Sequence, residues 1–281
     1  MPGARRWAET WRSRQQSAHR FRLLVEREDV SGTILRSHAL NTEYLEIAER
    51  FCGPPNSGNG GYVCGLLAKH LAGTVTARLK APPPLKTKLL REWTNDSARL
   101  LHDSAVIGEA KTSELRLELP NCPTLAQAEQ AAAAFPGFKS HLFPRCFVCG
   151  PEREAGDGLR IFSSPLPGQP LHAAPWVPHE SLADDRGDVA TEFIWAALDC
   201  PSGFAVLPVP EGMAIVLGEL CASLDGSLVV GQPTVVTSWP IAHDGRRRTA
   251  GTAIHTTAGQ LIATARAVWI EVPRSQWAPS N

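Results

Sequence analysis

Two short stretches and one isolated acid hold most of the residues able to do chemistry. Asn59-Gly60-Gly61 ends a glycine-rich turn that runs into the apolar segment Tyr62–Leu71. With no side chains at 60 and 61, backbone N–H groups at a helix start project unobstructed. The partial positive charge of such an end suits it to hold an oxyanion. Asp199 closes the apolar run Ile194-Trp195-Ala196-Ala197-Leu198. Burial there would raise its carboxyl pKa and make it a better general base, or it could attack directly as a nucleophile. The plainer readings are a helix cap with close packing at the glycines and a solvated helix end for Asp199 beside Pro201. Asn59 either orients substrate or water or is simply a turn residue. Glu192 is a weaker acid candidate, better read as a first-turn residue favoured by the helix dipole.

Arg246-Arg247-Arg248 follows the Asp244-Gly245 turn. Such a run is a solvated rim or an anchor for phosphates. Cys146-x-x-Cys149 is one half of a zinc knuckle. Tetrahedral zinc needs four ligands, no second C-x-x-C exists, and only His141 with one remote residue could complete a set. Neither a metal nor another cofactor is therefore expected, and the two cysteines are assigned to packing of a connecting segment.

The chain has 281 residues, of which 43% are apolar, enough for a sizeable core in two ordinary domains or one large one. Lys plus Arg and Asp plus Glu each number 28, so the basic excess of a nucleic-acid binder is missing. No apolar run approaches the ~20 residues of a membrane span, and no signal-peptide core follows the start. Seven cysteines, scattered through apolar segments, suit reduced thiols and a cytoplasmic location. The arginine-rich Met1–Arg22 reads as a peripheral extension.

The elements that must position these groups follow from periodicity. Phe21–Val25 and Thr33–Ser37 read as strands, and Asn41–Phe51 as a short helix capped by Asn41 or Thr42. From Asn59 a helix begins with Gly61, Cys64, Gly65, Ala68 and Ala72 on one face, small enough to lie close to something flat, most simply a sheet. The period then falls to two: Thr74–Lys80, Lys86–Trp93, Ala98–His102 and Ala105–Leu119 read as strands. Pro120–Pro144 connects, with a helix over Leu125–Ala134 capped by Thr124. Leu159–Ser163 reads as a strand and the proline-rich 165–188 as loop. A helix over Thr191–Cys200 ends at Pro201-Ser202-Gly203. Strands at Val216–Leu224, Thr234–Ile241, Arg247–Thr256 and Gln260–Val272 and a loose tail complete the chain.

Both halves thus run loop, helix, then antiparallel strands. Leu100-Leu101-His102 answers Ala253-Ile254-His255, Val106–Lys111 answers Leu261–Arg266, and Pro84 answers Pro233. In the helices Gly61 then stands opposite Glu192, Gly65 opposite Ala196, and Ala68 opposite Asp199. On these features the chain, over roughly 21–272, resembles the double hotdog acyl-CoA thioesterases of the medium-chain and PaaI-like groups. The resemblance implies an α+β double hotdog, two antiparallel sheets each wrapped round a central helix. It implies an N-terminal extension over 1–20, one unit over 21–120, a connecting segment over 121–157, a second unit over 158–272 and a tail over 273–281.

In that family one unit gives the N–H of a Gly-Gly helix start and the partner unit gives a carboxylate about two turns along its own helix. Carried over, Asn59, Gly60 and Gly61 would hold the thioester oxygen and Asp199 would activate water or attack. The second half departs from the pattern, with Thr191-Glu192 in place of Gly-Gly, and the first half has Ala68 where the acid belongs. One composite site and one empty one are implied. The implied partner is an acyl-CoA or related thioester whose phosphates Arg246, Arg247 and Arg248 could take, with neither nucleic acid nor membrane. A homodimer of double hotdogs is compatible with the resemblance. A non-catalytic acyl-ligand binder is the alternative. A hotdog hydratase or dehydratase ranks lower, since neither helix start shows the Asp and His five residues apart which that pattern requires.

Overall fold

The computed structural model of the chain describes residues 39–277. The strands expected at Phe21–Val25 and Thr33–Ser37, the arginine-rich start and the last residues of the tail lie outside them. Among the described residues there are eleven strands: β1 (Asn41–Glu46), β2 (Val75–Leu79), β3 (Lys88–Trp93), β4 (Ser97–His102), β5 (Ala105–Thr112), β6 (Ser164–Pro165), β7 (His172–Trp176), β8 (Met213–Leu224), β9 (Thr234–Asp244), β10 (Arg247–Thr256) and β11 (Leu261–Pro273). Three α-helices accompany them: α1 (Gly60–Ala68), α2 (Leu125–Ala133) and α3 (Thr191–Ala205).

The strands form one antiparallel sheet in the order β1-β3-β4-β5-β2-β8-β11-β10-β9-β7-β6. Read outward from the β2/β8 junction, both halves repeat: β2-β5-β4-β3-β1 on one side and β8-β11-β10-β9-β7 on the other. The duplication seen in the residues is therefore a duplication of topology. The expectation of two separate sheets is corrected. β2 pairs with β8 through Val75↔Ala222, Thr76↔Cys221, Ala77↔Leu220 and Arg78↔Glu219. Two sheets would leave the N–H and C=O rows of β2 and β8 as bare edges; pairing them satisfies both and fuses the halves.

Helices α1 and α3 cover the same face of this sheet. Gly60 of α1 meets Leu217 of β8, Gly203 of α3 meets the Trp269 ring of β11, and Leu217 and Trp269 are cross-strand partners. The small-residue face of α1 was expected against the sheet, but Gly61 and Gly65 lie against α3 instead. A Cβ at Gly61 would sit 2.4 Å from Asp199 Cβ, and one at Gly65 would sit 2.5 Å from Glu192 Cα. Gly60 and Gly108, by contrast, admit the sheet's Leu217 and α1's Leu67 respectively. The main core, with Leu67, Leu89, Leu100, Trp195, Leu198, Leu220 and Ile254, fills the layer between helices and sheet. Helix α2, with the expected Thr124 cap and Gln127 closing a capping box, packs Ala128 and Ala131 on Ala173 and Val235 in a separate cluster.

Further local expectations are corrected. Asn41–Glu46 is a strand, because pairing with Lys88–Trp93 outweighs its cap-like start; only Glu49–Phe51 forms a 3-10 turn. Leu159–Ser163 is not a strand, whereas the supposed loop over 165–188 contains β7, paired with β9. β5 stops at Thr112 rather than Leu119. Helix α3 continues through Pro201 to Ala205. Proline removes one N–H, but side chains hold the neighbouring backbone: Ser202 Oγ donates to Asp199 O at 2.6 Å and Ser238 Oγ to Pro201 O at 2.7 Å.

Candidate active site

Helix α1 begins where Asn59 stops the extended turn. Asn59 has β-region backbone angles, and its Oδ1 accepts from Tyr62 N at 2.9 Å, which is a conventional N-cap. This fixes the orientation of the carboxamide, so Nδ2 points away from the helix, and it donates to Asp199 Oδ2 at 2.8 Å. Gly61 N donates to the same oxygen at 3.0 Å. The start of α1 in the first half and the middle of α3 in the second are thus brought to hydrogen-bond distance across 138 residues of chain. The contact depends on glycine, since any side chain at 61 would occupy the space of Asp199 Cβ and Trp195 O.

Asp199 is 2% exposed and Asn59 also 2%. Burial pushes the Asp199 carboxyl up to about 7, against the opposing hydrogen bonds from Gly61 and Asn59 and with the Cys146 sulfur adding to the rise. Its Oδ1 is buried without a partner among the described residues. The Gly61 N–H that was expected to await a thioester oxygen is occupied by the acid itself. Gly60 turns its Cα toward Leu217 and helps by letting the helix start approach the sheet. On the opposite side, the aligned position Glu192 pairs with Lys69 at 3.6 Å, consistent with a first-turn structural residue.

The three arginines are placed at the β9–β10 turn. Arg248 is already engaged: Nε donates to Glu271 Oε1 at 2.5 Å, and Nη1 to Val206 O at 2.7 Å and Pro208 O at 2.9 Å. It ties β10 to the chain leaving α3, and Arg246 and Arg247 remain exposed. A surface cleft of about 410 Å³, lined by Thr76, Arg78, Arg99 and Lys111 among others, includes none of the Asn59, Gly61 or Asp199 residues.

Sequence reasoning missed one member of the neighbourhood. Cys200, next to Asp199, places its Sγ 3.6 Å from Cys146 Sγ, and the Sγ atoms of Cys146, Cys149 and Cys200 all lie within 4.8 Å of one another. His141, the ligand considered for that motif, is not in the cluster. Only the adjacency of Cys200 to Asp199 hinted at this; the long separation from Cys146 hid it.

A duplicated antiparallel sheet with a helix on each half gives the described residues a hotdog-like architecture. No family model and no curated protein matches the sequence. Solved structures do match in fold. The tesB protein of Mycobacterium avium subsp. paratuberculosis superposes with a TM-score of 0.54 at 13% identity, over 83% of this chain and 93% of that one. Acyl-CoA thioesterase II TesB2 of Mycobacterium marinum gives 0.51 at 11% identity, over 85% and 94%. This chain is thus similar in fold, along most of its length, to acyl-CoA thioesterases of the TesB kind. No helix among the described residues is long and apolar enough to cross a membrane.

Proposed function

We propose that the protein hydrolyses an acyl-CoA or a related thioester at a composite site made of Asn59, Gly60 and Gly61 from one half and Asp199 from the other. The observation that carries this reading is the Gly61 N to Asp199 Oδ2 contact, which joins an amide donor and a buried acid from opposite halves. The fold shared with structures named as acyl-CoA thioesterases supports the substrate class. In the reaction the thioester carbonyl oxygen takes the Gly61 N–H from Asp199 Oδ2. The released carboxylate, still held by Asn59, removes a proton from water as the water oxygen bonds to the carbonyl carbon. The developing oxyanion is stabilised by the amide, a donor worth roughly 3–4 kcal/mol in comparable sites. The C–S bond then breaks and the thiolate recovers the proton. Exposed Arg246 and Arg247 could take the phosphates of coenzyme A; Arg248 acts as a structural tie.

The burial of Asp199, together with its own use of the Gly61 N–H, favours one second reading: a binder of acyl ligands whose closed site does not turn over. Hydrolysis measured against short, medium, long and aryl acyl-CoAs separates the two. Asp199→Asn is expected to lower kcat by about 10²–10⁴ while leaving acyl-CoA binding intact by calorimetry. Binding without turnover of any acyl-CoA by the unsubstituted protein would establish the second reading and remove the first.

A further inference from the structure

We propose that Cys146, Cys149 and Cys200 together bind one thiophilic divalent metal ion, zinc, beside the α1–α3 contact. Zinc–thiolate bonds of about 2.3 Å at tetrahedral angles put sulfurs about 3.8 Å apart. Cys146 and Cys200 stand at 3.6 Å, and the third sulfur completes a triangle with no side longer than 4.8 Å. A disulfide needs about 2.05 Å, so the sulfurs are spaced for a shared ion rather than for a bond between two of them.

The loop carrying two of the three is built to hold them. Gly150 N donates to Cys146 O at 2.9 Å, closing the turn, and a Cβ at 150 would fall 2.5 Å from that same oxygen, so only glycine fits. Phe147 N donates to Cys52 O at 2.7 Å, while Leu159 N and Ile161 N donate to Phe147 O and Val148 O at 2.8 and 2.9 Å. The turn is therefore clamped on both sides. Helix α3 presents Cys200 from the opposite direction, and none of the three residues is more than 8% exposed.

Three thiolates crowded in a buried site require compensating donors, and metal-thiolate sites commonly receive N–H bonds to sulfur. Asn59 Nδ2 is 3.9 Å from Cys146 Sγ and 3.8 Å from Cys200 Sγ, with its orientation fixed by the cap on Tyr62. Asp199 stands outside the three-sulfur group, with its Oδ2 4.0 Å from Cys200 Sγ and a buried Oδ1 that has no partner among the described residues. On binding, the three sulfurs ligate as thiolates, and the protons they still carry pass to solvent as the S–Zn bonds form. The ion would pin the connecting segment to α3 next to the proposed site. The proposal goes beyond thioester hydrolysis and does not need it to be correct.

The test uses the full chain, purified reduced and without chelator. Elemental analysis should find one zinc per chain. After stripping with a chelator, cobalt(II) should restore thiolate-to-metal charge-transfer absorption and the visible bands of a tetrahedral ion. Cys122→Ser, outside the cluster, should keep the metal, and Cys200→Ser should lose it. Absence of zinc in the unsubstituted protein together with no cobalt–thiolate absorption would overturn the proposal, as would a disulfide among the three cysteines by peptide mass spectrometry. Both measurements on the unsubstituted chain stand even if Cys200→Ser fails to fold, and neither depends on hydrolysis.

Discussion

At the scale of residues, the most informative contact is a glycine amide held by a buried acid. Gly61 serves two roles that a substitution confounds: its N–H reaches Asp199 Oδ2, and its missing side chain lets α1 lie on α3. Gly61→Ala is therefore expected to destabilise by about 1–3 kcal/mol through overpacking, read as a lower urea midpoint, before any rate is interpreted. Asn59 offers a cleaner probe. Asn59→Ser keeps an oxygen to cap Tyr62 N and removes the donor to Asp199. Because the cap is kept but a buried acceptor loses its donor, stability should fall by about 1–3 kcal/mol. Loss of a hydrogen bond to a charged group, about 1.5–3 kcal/mol, should slow hydrolysis roughly ten- to a hundredfold. Equal rates for the wild type and Asn59→Ser would remove Nδ2 from the mechanism.

At the scale of elements, packing repeatedly overrides local preference. Helix α3 runs through Pro201 because Ser202 is anchored from both directions: its Oγ donates to Asp199 O and accepts from Trp269 Nε1 at 2.8 Å. The segment read as loop folds into β7 because β9 offers a free edge and Thr234 Oγ1 donates to Trp176 O at 2.7 Å. β7 also carries a pH dependence. His172 is half-buried, its Nδ1 has no partner among the described residues, and burial pushes its pKa from 6.5 down to about 4. The unfolded chain then binds the proton first as pH falls, so this group's contribution is complete above pH 6.5 and is lost progressively toward pH 4. The melting temperature should fall over that window, and His172→Leu should flatten the slope; an unchanged slope would place the effect on other groups.

At the scale of the molecule, the two halves are one sheet. The join buries Ala77 and Leu220, both 0% exposed and directly paired across β2 and β8. At the strand margin Arg78 meets Glu219 at 2.6 Å, and Arg266 of β11 reaches the same carboxylate at 3.6 Å. Ala77→Asp would bury an unpaired charge at this seam and is expected to destabilise by roughly 3 kcal/mol or more. Because the hydrogen-bond ladder crosses the join, far-UV circular dichroism and tryptophan fluorescence should report a single coincident unfolding transition in urea. Two separated transitions would mean that the halves unfold independently.

Much of this was legible in the residues. The repeat of helix and strands, the cap at Asn59, the glycine start of α1 and helix α2 with its Thr124 box all follow from spacing. These are local or repeated patterns, and a period of two or 3.6 survives in sequence wherever one face is buried. What the tertiary structure alone decided has a common cause, the meeting of groups far apart along the chain. Pairing of two edge strands made one sheet from the expected two, a second helix rather than a sheet met the small-residue face of α1, and α3 carried Cys200 to Cys146 and Cys149. No local pattern encodes which distant surface an element will meet; that is settled only when burying both surfaces and satisfying both sets of backbone groups is achieved together.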